Sequence, residues 1–121
     1  LLPDTCSTSV NLDVSSFNAV LKRVTVVAPS NSAVRFDVDT DANTLTLSAY
    51  SSDQDQASET IETAVEGTNC MVGFNYSYIF GCLNALGHEK EITLELTEGR
   101  PGVFKSYDKI NYIYLVMPVR V

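Results

Sequence analysis

The sequence predicts an α+β fold: two strand–helix–three-strand repeats, with both helices on one face of the sheets. Three observations predict it. Apolar and polar residues alternate in eight short runs, while helical spacing occurs in two stretches only. The order strand, helix, three strands occurs twice, with a period of about sixty residues. Helices that interrupt a mainly antiparallel set of strands pack as a single layer on it.

The 121 residues make one domain with room for a sizeable core. Residues 1–9 read as the end of a linker, and residues 10–121 as the domain, with half-repeats at 10–66 and 67–121. The chain opens on Leu1 without a methionine, as expected of a fragment or a processed product. No apolar run approaches the ~18 residues that cross a bilayer, and no signal peptide stands at the start.

In the first half, Val10–Val14 alternates as a short strand. Ser15-Ser16 is the expected cap of a helix from about Ser16 to Val27. Phe17, Val20, Leu21, Val24 and Val27 form its inward stripe. Val26 is an apolar residue on the polar side. Three strands are expected next: Ala33–Val38, Thr44–Tyr50 and the weaker, acidic run Ala57–Val65.

The second half repeats the pattern. Cys70–Phe74 is a strand, Asn75 caps a helix from Tyr76 to Leu86, and Ile79, Cys82, Leu83 and Leu86 face inward. Strands follow at Glu91–Thr97, Gly102–Tyr107 and Asn111–Met117. The last is expected to lie buried inside a sheet. Pro118 has no N–H for a ladder, so pairing should stop near Met117 and leave an apolar tail as a contact surface.

Charge and chemistry narrow the function. The net charge of −7 argues against nonspecific nucleic-acid binding by this piece alone, which needs a basic face. Acids are absent from the outward helix positions Asn18, Ala19, Lys22, Arg23, Ser77, Gly81 and Asn84, although the chain has fifteen. Three cysteines (Cys6, Cys70, Cys82) lack metal-type spacing; Cys70 and Cys82 look like core residues of a protein in a reducing compartment. Asp37-x-Asp39-x-Asp41 lacks the glycine and glutamate of a calcium loop and reads as a solvated turn. Asn75-Tyr76-Ser77 matches a glycosylation acceptor but is placed to cap a helix. His88 has no nucleophile signature beside it. No catalytic, metal or cofactor site emerges. Two rival readings remain, a small hydrolase using His88 and a stand-alone interaction module.

Three segments carry a family resemblance: Gly73-Phe74-Asn75-Tyr76-Ser77-Tyr78, Leu83-Asn84-Ala85-Leu86, and the ending Tyr114 to Val121. From Leu2-Pro3 onward the chain resembles the C-terminal (third) domain of the bacterial sliding clamp, the β subunit of DNA polymerase III. The resemblance implies a non-catalytic processivity factor of DNA replication, cytoplasmic and nucleoid-associated. In that family a homodimeric ring encircles duplex DNA, with helices lining the pore. Polymerase III's catalytic subunit, the clamp loader, other polymerases and repair proteins dock by short linear motifs of the type Gln-Leu-x-Leu-Phe.

By position, the resemblance assigns one wall of the peptide cleft to Leu1, Asn75, Tyr78, Arg100, Gly102, Leu115, Val116, Met117, Pro118, Val119, Arg120 and Val121. It assigns ring closure to Val26, Val27, Asp53, Asp55 and Glu59, and the DNA-facing cations to Lys22 and Arg23. The sequence departs from the family pattern at the helix-one exit, shorter by one residue near Asn31-Ser32. It departs again at Arg100, where a small aliphatic residue is common.

Overall fold

Alternation puts Val10 and Leu12 of β1 (Thr8–Asp13) into the core, and the strand ends on the residue that starts the first helix. The computed structural model describes residues 7–29, 32–50, 56–86, 90–97, 100–106 and 113–119. Asp13 accepts a hydrogen bond from the Ser16 backbone N–H at 2.9 Å and so caps α1 (Val14–Thr25). The helix therefore starts two residues before the expected Ser16. Ser15 and Ser16 lie inside its first turn, because a carboxylate at the strand end already satisfies the open N–H. Asn75 caps α2 (Tyr76–Ala85) as expected, accepting from the Ser77 N–H at 2.9 Å.

The remaining strands are β2 (Ala33–Asp39), β3 (Thr44–Tyr50), β4 (Gln56–Glu62), β5 (Val65–Gly67), β6 (Cys70–Asn75), β7 (Glu91–Leu96), β8 (Gly102–Ser106), β9 (Ile113–Val116) and β10 (Pro118–Val119). They form two antiparallel five-stranded sheets. Sheet one has the order β5-β1-β7-β8-β9 and sheet two the order β10-β6-β2-β3-β4. Each half lends its first strand to the other half's sheet: β1 pairs β7, and β6 pairs β2. The helices pack on the strands and on each other.

Two expectations about strands are corrected. The run Ala57–Val65 is two strands in different sheets, crossing over at Thr63 and Ala64. There the Asn11 N–H donates to the Ala64 carbonyl at 3.1 Å, and the Thr63 hydroxyl donates to the Asn11 carbonyl. The final run behaves alike. β9 is the edge of sheet one, not an interior strand, and pairing resumes beyond Met117 with Pro118 opposite Phe74 and Val119 opposite Gly73 in sheet two. Proline is tolerated there because β10 is itself an edge. Each half is thus strand–helix–four strands.

Four phenylalanines tie the layers together edge to face. Phe17 of α1 meets Phe36 at 5.9 Å, Phe36 meets Phe74 at 5.2 Å, and Phe74 meets Phe104 of sheet one at 6.1 Å between ring centres. All four are fully buried. Gly102 makes room for this ladder: a Cβ on it would lie 2.5 Å from the Phe74 ring.

The two halves superpose residue by residue in pairing. The caps and inward helix positions recur at a separation of 62 residues (13 to 75, 17 to 79, 21 to 83). Following the ladders outward, the fourth and fifth strands recur at a separation of 55 (59 to 114, 63 to 118). Glu59 on β4 and Tyr114 on β9 therefore occupy equivalent places.

Candidate functional site: an apolar groove beside the second helix

Beside α2, the edge strand β9 leaves a groove of about 440 Å³. Its lining among the described residues is Ser77, Tyr78, Gly81, Cys82, Tyr114, Leu115, Val116 and Met117. Tyr78, Gly81 and Cys82 share one helix face by their spacing of three and four. From the last strand, Ile113, Leu115, Met117 and Val119 stand exposed at every second position, at 37%, 46%, 67% and 41%. Four large apolar side chains thus face solvent in a row. Cys82 closes the floor. Burial pushes its thiol up to about 11, so it stays protonated and apolar at neutral pH.

The expected cleft residues fall into three groups. Tyr78, Leu115, Val116 and Met117 line the groove together. Pro118 and Val119 continue from it into sheet two. Asn75, Arg100 and Gly102 do not line it: Asn75 caps α2, Arg100 is exposed with its N–H on the Thr97 carbonyl, and Gly102 is buried under Phe74. Leu1, Arg120 and Val121 lie outside the described residues, as do Asp53 and Asp55. Ser77, Gly81, Cys82 and Tyr114 were missing from the sequence-derived wall. The helical period from Tyr78 could have found Gly81 and Cys82; nothing local marks Tyr114.

The first helix presents different chemistry. Lys22 is exposed in its last turn. Arg23 beside it is held by Glu59 of β4 in a two-pronged contact, Nε to Oε2 at 2.7 Å and the second guanidinium nitrogen to Oε1 at 2.9 Å. The hydrogen bonding holds Glu59 below the usual carboxylate range and raises Arg23 further. The helical side is thus not free of acid, a correction to the sequence reading. Glu59 and Arg23, assigned there to different surfaces, bind each other. Val26 at the end of α1 is 81% exposed, while Val27 packs partly against the core.

A second depression, about 480 Å³, lies where the helices meet. Asp13, Val14, Ser15, Asn18, Leu83, Asn84 and Lys90 line it. The hydrogen bond from Ser16 holds the Asp13 carboxyl below its ordinary range. Lys90, on the same lining, lowers it further by its charge. Among the described residues no group of acids, cysteines and histidines is arranged to hold a metal ion. No helix of the described residues is long and apolar enough to cross a membrane.

A doubled strand–helix–sheet domain with an apolar groove along an exposed edge strand has the form of an assembly module. Its family follows from comparison. Residues 1–120 match the family described as the DNA polymerase III beta subunit, C-terminal domain, and the chain belongs to that family. It is 31% identical, over its full length, to the beta sliding clamp of Streptomyces coelicolor, of which it covers 33%. It is 30% identical to that of Synechocystis sp., again over its full length and 31% of the relative. The crystal structure of the β subunit from Thermotoga maritima superposes with a TM-score of 0.90 at 27% identity, covering 99% of this chain and 32% of that one. The chain spans about a third of the length of the curated relatives it matches.

Proposed function

We propose that residues 10–121 act as the third domain of a ring-shaped, non-catalytic processivity factor of bacterial DNA replication, working in the cytoplasm and at the nucleoid. Two copies of the full-length protein close around duplex DNA. The replicative polymerase, the clamp loader, and other polymerases and repair proteins are tethered through short linear motifs in the groove between α2 and β9. Leu1, Asn75, Arg100, Gly102, Arg120 and Val121 complete or support that wall. Val26, Val27, Asp53, Asp55 and Glu59 contribute to ring closure, and Lys22 and Arg23 to the side facing DNA.

The observation that carries this reading is the exposed row Ile113, Leu115, Met117 and Val119 beside Tyr78, in a chain of this family. Burying such side chains contributes about 25 cal/mol per Å² of apolar area, and methionine adapts to varied partners. An NMR titration of the full-length protein with the peptide Gln-Leu-Asp-Leu-Phe tests it. Shifts centred on Tyr78 and Leu115 to Val119 are expected; silence at these residues at millimolar peptide overturns the groove assignment. With its charge of −7, the isolated domain should bind duplex DNA no tighter than about 1 µM at physiological salt.

A further inference from the structure

The two helices start on one backbone pattern but fill the space beside it differently. Caps and inward positions recur at a separation of 62 residues, so Val14 and Asn18 of α1 match Tyr76 and Phe80 of α2. The backbone around them matches too. The Val14 N–H donates to the Lys90 carbonyl at 3.0 Å, and the Tyr76 N–H donates to the Ser32 carbonyl at 3.1 Å. Beside the start of α2 the space is taken by two rings. Tyr76 and Phe80 stand edge to face with centres 6.1 Å apart, and both pack against the core. The Tyr76 hydroxyl donates to the Pro29 carbonyl at 3.0 Å. Beside the start of α1 the smaller pair, Val14 and Asn18, leaves the depression of about 480 Å³ described above.

The lining of that depression is of two kinds. Val14 and Leu83 are buried and apolar. Ser15, Asn18 and Asn84 bring hydroxyl and amide groups that can both donate and accept. Asp13 and Lys90 add opposite charges, so the described lining carries no net charge and suits a neutral group. None of these residues belongs to the groove beside β9. We propose that the depression is a second recognition site, independent of that groove, and that its occupant is a tyrosine side chain of a partner protein. The ring lies over Val14 and Leu83, in the place that Tyr76 and Phe80 fill beside the other helix. Its hydroxyl is met by the polar rim, as the Pro29 carbonyl meets that of Tyr76.

The test is methyl NMR on the full-length protein, in which the Val14 and Leu83 methyls report on this site and the Leu115 methyls on the groove. The probes are N-acetyl-tyrosinamide, N-acetyl-phenylalaninamide and adenosine monophosphate. The tyrosine probe should shift the Val14 and Leu83 methyls with a dissociation constant of about 1 mM, the order expected of one buried ring. The phenylalanine probe should bind at least about threefold more weakly, because it leaves the polar rim unmet. Val14→Tyr combined with Asn18→Phe copies the filled helix start and should abolish the Leu83 shift. Asn18→Phe alone blocks the same space from a half-buried position and gives the same answer if the double variant does not fold. Shifts at Leu115 alone, or no shift at about ten times that concentration, overturn the proposal. Equal binding of the phenylalanine probe, or tighter binding of adenosine monophosphate, overturns it too. So does a Leu83 shift that survives Asn18→Phe in a folded protein.

Discussion

The same strand, in the same register, ends one half of the molecule in polar residues and the other in apolar ones. In the first half its outward positions are Ser58, Thr60, Glu62 and Ala64; in the second they are Ile113, Leu115, Met117 and Val119. The inward positions differ as sharply. Glu59 reaches Arg23 and bridges the seam between β4 and α1, while Tyr114, its counterpart, packs against the core and helps line an open groove. Arg23 itself is matched by Ala85, which has nothing to reach with. One backbone thus serves two purposes. An unpaired edge studded with charge and hydroxyls resists unwanted strand pairing. The same edge with branched and thioether side chains presents apolar area to solvent, where the proposed function places a partner.

Four measurements would break or sharpen that contrast. Phe74→Ala has the largest expected effect. The ring joins both sheets, so its loss should cost about 3–5 kcal/mol and lower stability in one cooperative transition, as seen by chemical denaturation. Two separate transitions would mean that the halves are independent, contrary to their shared ladder. Met117→Asp comes next. It should weaken the Gln-Leu-Asp-Leu-Phe peptide by about a hundredfold while moving the melting midpoint by no more than about 2 °C, because the side chain is 67% exposed. The equivalent Glu62→Ala should leave peptide affinity unchanged.

The caps supply the third contrast, since Asp13 titrates and Asn75 does not. The folded state holds the Asp13 carboxyl low, so its contribution is complete above the ordinary aspartate range, near pH 4, and fades as pH falls through the lowered value. Asp13→Asn should flatten the acid limb of stability below about pH 4 and change little at pH 7. An unchanged acid limb would mean that the ionised carboxylate caps no better than the protonated one. The smallest effect belongs to Arg23 and Glu59. Both are partly open to water, and a double-mutant cycle should give a coupling that high salt removes. Coupling that survives molar salt would make the seam a structural lock.

Much of the fold was legible in the sequence because both helices carry clean inward stripes and both are preceded by a capping residue. Asn75 was placed correctly; Asp13 was passed over because two serines follow it. The crossings between sheets were invisible for a physical reason. Ala57, Glu59, Ile61, Thr63 and Val65 keep alternating inward with exposed neighbours straight through the crossing, and no glycine or proline marks it, so one strand and two strands read alike. The same holds from Ile113 to Val119. The groove was half legible: its strand side is apolar in sequence, but Gly81 carries no side chain to mark it, and Cys82 looks like any core residue. The Arg23–Glu59 contact joins residues 36 apart and leaves no local trace.

The exchange of first strands also sets an order on biosynthesis. β6 emerges from the ribosome after its partner β2, so β6, β2, β3 and β4 of sheet two can zip as soon as Asn75 is free. β1 must wait, because Leu12 sits opposite Ile92, eighty residues later. At about 5–20 residues per second, the apolar edge of Val10 and Leu12 spends roughly 4–16 s without its sheet. Sheet one is therefore assembled after the four strands β6, β2, β3 and β4, and β10 joins their edge last of all.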